Sequence, residues 1–135
     1  GWYPETLSSI YGTMYRQVVF TISGNLEVES DPLRIPNAIG VILEILEVRL
    51  DINTAPVGSS VIVDINNSGT TIFTTQGNRP QIASENYTGS TTMIDDYIWE
   101  IGEYLTVDVD QVGSTTPGSN LTVTIVVQEY ESESY

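Results

Sequence analysis

The sequence predicts an all-β fold: a two-sheet antiparallel β-sandwich, jelly-roll-like, with about seven or eight strands in a single domain over residues 17–128. Three observations predict it. Val, Ile and Thr dominate the apolar runs, these runs alternate with period two, and clusters of Gly, Asn, Ser and Pro fall between them. At 135 residues a chain can bury roughly two-thirds of the surface it exposes when unfolded, so one core suffices. So many short strands cannot each bury a face in one open layer, which implies two packed sheets.

Residues 1–16 carry Trp2, Tyr3, Tyr11 and Tyr15 with little periodicity, and read either as a flexible leader or as an aromatic arm that lies on a neighbouring subunit. The chain opens on Gly1 without Met, which is expected to reflect processing or trimming. The first strand is expected at residues 18–22. Residues 39–46 are ambiguous, because Ile39, Ile42, Leu43 and Leu46 would also make a helical stripe. Strand is favoured, since the run continues into the clean alternation of residues 47–52 before Asn53 and Pro56 stop it.

Val61, Val63 and Ile65 share one face of the next strand, at residues 61–65. Asn66, Asn67, Ser68 and Gly69 tolerate left-handed backbone, and a new run follows at residues 70–75, which predicts a hairpin. A second hairpin is expected between residues 104–109 and 121–128, joined by a long turn through Gly113, Pro117 and Gly118. Residues 129–135 form a polar, acidic tail expected to fray.

Charge and missing residue types exclude much. There is no His and no Cys, and 18 acidic residues face four basic ones, all Arg, for a net charge of -14. Nucleic acid and anionic membrane are therefore not expected partners, since both require clustered cations. Without His or Lys beside a Ser, and with no Gly-x-Ser-x-Gly turn, serine hydrolysis is excluded. No phosphate loop ending in Lys is present, and no cofactor is called for. A glycosidase pair could be drawn from many carboxylates, which makes the signal uninformative. Asp108 and Asp110 alternate with Val107 and Val109 and belong on a solvated strand face. The expectation is no catalysis.

Two binding chemistries stay open. Asp64, Asp108 and Asp110 could converge from neighbouring strands on a structural calcium ion, and Asp95–Asp96 forms another pair, although no loop has EF-hand spacing. Tyr87, Tyr97 and Trp99 could present a carbohydrate-stacking face, or Trp99 could be core. Asn66, Asn86 and Asn120 head glycosylation sequons that matter only in a source that glycosylates its proteins.

Residues 53–66 (NTAPVGSSVIVDIN), 69–76 (GTTIFTTQ) with Asn78-Arg79-Pro80, and 104–118 (YLTVDVDQVGSTTPG) resemble a β-sandwich structural domain of tailed-bacteriophage virion proteins. That family includes head-decoration, head-fibre and tail-associated proteins. The resemblance covers roughly residues 17–128, three blocks in order. It implies a virion component without catalytic residues, most simply one that decorates or reinforces the capsid. Taken with the aromatic arm, which lies outside the matched span, this leads to copies of the chain itself, as a trimer or other cyclic oligomer, and the major capsid protein or other virion proteins as the expected partners, with Trp2, Tyr3, Tyr11 and Tyr15 of the arm as the expected contact residues. A receptor- or carbohydrate-binding module of a tail or fibre, and a subunit of an extracellular filament, are the alternatives.

Overall fold

The computed structural model describes residues 15–30 and 33–131. Among the described residues, eleven strands and one short 3-10 turn, Gln76–Asn78, make up the regular structure: β1 (Tyr15–Asn25), β2 (Glu29–Ser30), β3 (Ile35–Pro36), β4 (Leu43–Thr54), β5 (Val61–Asn67), β6 (Thr70–Thr71), β7 (Gln81–Ile82), β8 (Thr88–Thr91), β9 (Ile98–Trp99), β10 (Tyr104–Gln111) and β11 (Ser119–Glu129). One sheet runs β1-β11-β4-β8 with β9 also on β4; the other runs β2-β10-β5-β6, with β3 on β10 and β7 on β5. All pairings are antiparallel.

Three strand positions are broken in two, β2/β3, β6/β7 and β8/β9, because each half pairs the same long neighbour. Counting each once leaves eight positions whose pairings nest: first with eighth, second with seventh, third with sixth, fourth with fifth. That nesting is a long hairpin folded over on itself, the jelly roll.

The alternation read from sequence builds the core in rows. Val18, Ile125 and Val48 are opposite one another on β1, β11 and β4, as are Phe20, Val123 and Leu50, and Ile22, Leu121 and Ile52. Facing them from the second sheet are Val61, Val63 and Ile65 of β5 and Leu105, Val107 and Val109 of β10, all buried. Ile72, Phe73, Ile82 and Trp99 close the core at its margins.

The structure corrects three expectations. First, β10 and β11 are not a hairpin: they lie in different sheets. Their inward rows face each other across the core, and alternation looks the same for strands side by side and strands stacked. The intervening residues instead arch between sheets, held where the Val57 N–H donates to the Thr116 carbonyl at 2.9 Å. Second, the run at 70–75 leaves the ladder after Thr71. Thr71 Oγ1 donates to Asp64 at 2.6 Å and accepts the Phe73 N–H at 3.0 Å, which turns the chain. Ile72 and Phe73 can then both be buried, as a regular strand covered on one face would not allow. Third, residues 39–42 are not strand. Gly40, at φ 94°, bends the chain before β4 begins.

Candidate interaction surfaces

Each aromatic and acidic group singled out in the sequence now has a place, or lies outside the described residues. Trp2, Tyr3 and Tyr11 lie outside them. Tyr15 opens β1 opposite Gln128 and is 70% exposed; with Arg16 it belongs to the strand.

The three acids Asp64, Asp108 and Asp110 do share the outer face of β5 and β10, with Asp64 directly opposite Asp108. Like charges at that spacing repel, and each is met by a donor rather than by its neighbours. Asp64, buried beneath the loop after β6, accepts from Thr71; Asp108 accepts from Asn66 Nδ2 at 2.7 Å; Asp110 pairs with Arg79 at 2.7 Å. Burial raises the Asp64 pKa, and the nearby Asp110 charge raises it further against the hydrogen bond from Thr71. Asp95 clamps Thr75, accepting its N–H at 3.0 Å and its hydroxyl at 3.1 Å. Among the described residues no group of three or more acids is arranged to hold a metal. Asp64 and Asp110 tie the chain after β5 to the sheet, Asp108 links β10 to β5, and Asp95 joins two loops.

The carbohydrate face does not form. Trp99 is 1% exposed, and its indole N–H donates to the Glu103 carbonyl at 2.9 Å, so both its ring and its polar edge are used internally. Tyr87 and Tyr97 are exposed but sit against opposite ends of β4, accepting the N–H groups of Ile52 and Ile45 respectively. Seven residues of strand separate those contacts, roughly 23 Å at the usual rise. No sugar ring spans that.

Features that the sequence did not mark dominate the surface. Arg34 stacks on the Tyr104 ring at 3.6 Å from its centroid, walling a shallow groove on the outer face of the second sheet. On the first sheet, Arg49 pairs with Glu47 at 3.0 Å on a polar outer face where Thr124 and Ser90 are its cross-strand neighbours. Neither arginine stands in a motif: Arg34 finds its ring in distant sequence, and Arg49 pairs with Glu47 two residues back on the same strand face.

The edges also differ. β2/β3, β6/β7 and β8/β9 are short and interrupted, whereas β1 is an 11-residue edge strand. It contains no Pro and, like the whole chain, no Lys.

No protein-family model matches the sequence, and neither does any curated protein. Solved structures do match. A chain from the capsid of Ralstonia phage GP4 aligns with a TM-score of 0.52 at 16% identity, covering 89% of this chain and 86% of that one. A chain from the Cyanophage Pam1 capsid asymmetric unit aligns with a TM-score of 0.41 at 11% identity, covering 87% and 85%. At these identities the likeness to the GP4 chain is one of fold.

Proposed function

We propose that this chain is a structural component of a bacteriophage virion that decorates or reinforces the capsid through protein–protein contacts and catalyses nothing. The observation that carries the reading is the jelly-roll likeness to a chain of a phage capsid, which extends over nearly the full length of both. The sequence resemblance to virion β-sandwich proteins points the same way, and a chain without His, Cys or Lys has few groups for acid–base or nucleophilic work. The partners are the major capsid protein or other virion proteins and further copies of the chain, in a trimer or other cyclic oligomer. The β1 edge suits self-association, because among the described residues no strand lies beside its outward backbone groups, and it lacks the usual Lys or Pro guards. Residues 1–14 lead directly into that edge and carry Trp2, Tyr3 and Tyr11.

The test uses particles from which the gene has been deleted. Purified protein should rebind such shells saturably and restore their resistance to heat, whereas protein lacking residues 1–14 should stay folded and fail to rebind. Shells that neither bind it nor lose robustness without it would sink the decoration role. Rebinding by the truncated protein would sink the arm alone.

A further inference from the structure

One end of the sandwich displays apolar side chains that the core does not use. Ile39, Ile42 and Ile101 are 45, 37 and 57% exposed. The buried side chain of Asn37 gathers them: its amide donates to the Val41 carbonyl at 2.9 Å and the Trp99 carbonyl at 3.0 Å, its oxygen accepts the Ile39 N–H, and its own carbonyl accepts the Gly102 N–H. Tyr130 joins from just past the end of β11, donating its N–H to the Ile42 carbonyl at 2.8 Å. Alongside, Leu46, Ile94 and Tyr97 line a dimple of about 240 Å³.

The electrostatic setting is one-sided. Residues 37–46, 92–103 and 128–131 build this end and contain seven carboxylates and no basic residue. Glu44, Asp95 and Glu103 accept hydrogen bonds from Gln128, Thr75 and Asn67, neutral donors that leave the negative charge uncompensated. Arg16 borders this end on β1, opposite Val127 of β11, and is one positive charge against the seven carboxylates. Arg34 stacks on Tyr104, next to Glu103, so two positive charges border seven negative ones.

We propose that this end is a docking surface for a basic polypeptide segment of another protein, which lays apolar side chains into the dimple beside Tyr97 and against Ile42 and Ile101 and presents Lys or Arg to the surrounding carboxylates. Covering the patch removes water from the carboxylates at its rim, and only an occupant of opposite sign offsets that and the mutual repulsion. A second copy would bring acid against acid, with four Arg and no Lys in the chain to relieve it. The chain's own residues 1–14 contain no Lys or Arg and add Glu5. The inference does not depend on the protein belonging to a virion.

The test titrates the ¹⁵N-labelled full chain with two synthetic peptides of equal length and charge, one alternating Lys with Leu, the other Lys with Ser. The Lys–Leu peptide should bind more tightly and shift amides of residues 37–46 and 92–103. Tyr97→Ser with Ile101→Ser should weaken it at least about tenfold. Val19→Ser removes an apolar side chain 46% exposed on the outer face of the first sheet and should leave the affinity unchanged. If the double variant melts early, Ile101→Ser alone carries the same expectation. Equal affinity for both peptides, or shifts spread over all acidic surfaces, would overturn the proposal in favour of bulk charge. Tighter peptide binding after removal of residues 1–14 would overturn it in favour of the chain's own arm. Self-association abolished by the double variant would overturn it in favour of a second copy.

Discussion

Asn37, Gly89 and Asp64 show how single residues hold this fold. Asn37 is buried and uses both ends of its amide on backbone groups from two segments. Asn37→Ala would leave those groups without partners, and a loss of about 2–4 kcal/mol is expected in denaturant titration. At Gly89, a β-carbon would overlap the Gln81 carbonyl oxygen where β8 of one sheet passes β7 of the other. Gly89→Ala should therefore destabilise by about 1–3 kcal/mol, the range for overpacking. Asp64 makes a pH prediction of unusual sign. Its folded pKa is raised above 3.8, chiefly by burial, so the native state binds this proton more tightly than the unfolded chain does. Its contribution to stability is fully present below the unfolded pKa and is lost as pH rises through the folded one. Asp64→Asn keeps an acceptor for Thr71 and cannot ionise. Its melting temperature relative to wild type should therefore climb as pH rises from below 3.8 through the raised folded pKa; a constant difference would rule this out.

At the scale of elements, the β5–β6 hairpin was legible because its chemistry is local. Ser68 and Gly69 both take positive φ, 51° and 92°, the two-residue connection that matches strand twist. Nothing lies within 4 Å of a β-carbon at Gly69. Gly69→Ala thus tests backbone strain alone, with an expected loss of about 1 kcal/mol in thermal melts. β4 was half legible for an equally specific reason. Val127 is opposite Ile45 and Val126 opposite Glu47, so Leu46 is an extra residue that shifts the inward set from Leu43 and Ile45 to Val48, Leu50 and Ile52. That shift of parity breaks period two and leaves spacings that imitate a helix. For β1, Val19→Lys with Thr21→Lys should convert any self-associated form to monomer in light scattering, with the fold intact. The substitution lowers the net negative charge, so dissociation could not be blamed on added repulsion.

Across the whole molecule, a net charge of -14 meets only two ion pairs among the described residues, both arginine–carboxylate. Self-repulsion between exposed carboxylates should therefore limit stability at low ionic strength. Raising salt from about 0.01 M to about 0.5 M shortens the screening length from roughly 30 Å to under 8 Å and should raise the melting temperature by several degrees. A fall would mean that the two pairs outweigh the repulsion.

By itself the sequence determined the all-β class, the two-layer sandwich, the inward rows and the absence of His and Cys chemistry, because composition and period-two alternation depend only on near neighbours. Which strands pair was decided by tertiary structure. The inward pattern of β10 and β11 is satisfied equally by a hairpin and by two facing sheets, and only closure of the nested pairing separates them. Site residues divide the same way. Asp64, Asp108 and Asp110 were legible as one outer face, but not their separate engagement by Thr71 of β6, Asn66 of β5 and Arg79 of the loop before β7, which only strand pairing and the path of that loop bring to them. Trp99 turned inward because Leu43 of β4 lies opposite it and the Glu103 carbonyl receives its N–H. The apolar end around Asn37 was not legible at all. Ile39, Ile42 and Ile101 resemble core residues in sequence, and only the Gly40 bend and the Glu100–Glu103 turn, neither written in the alternation, aim them at solvent.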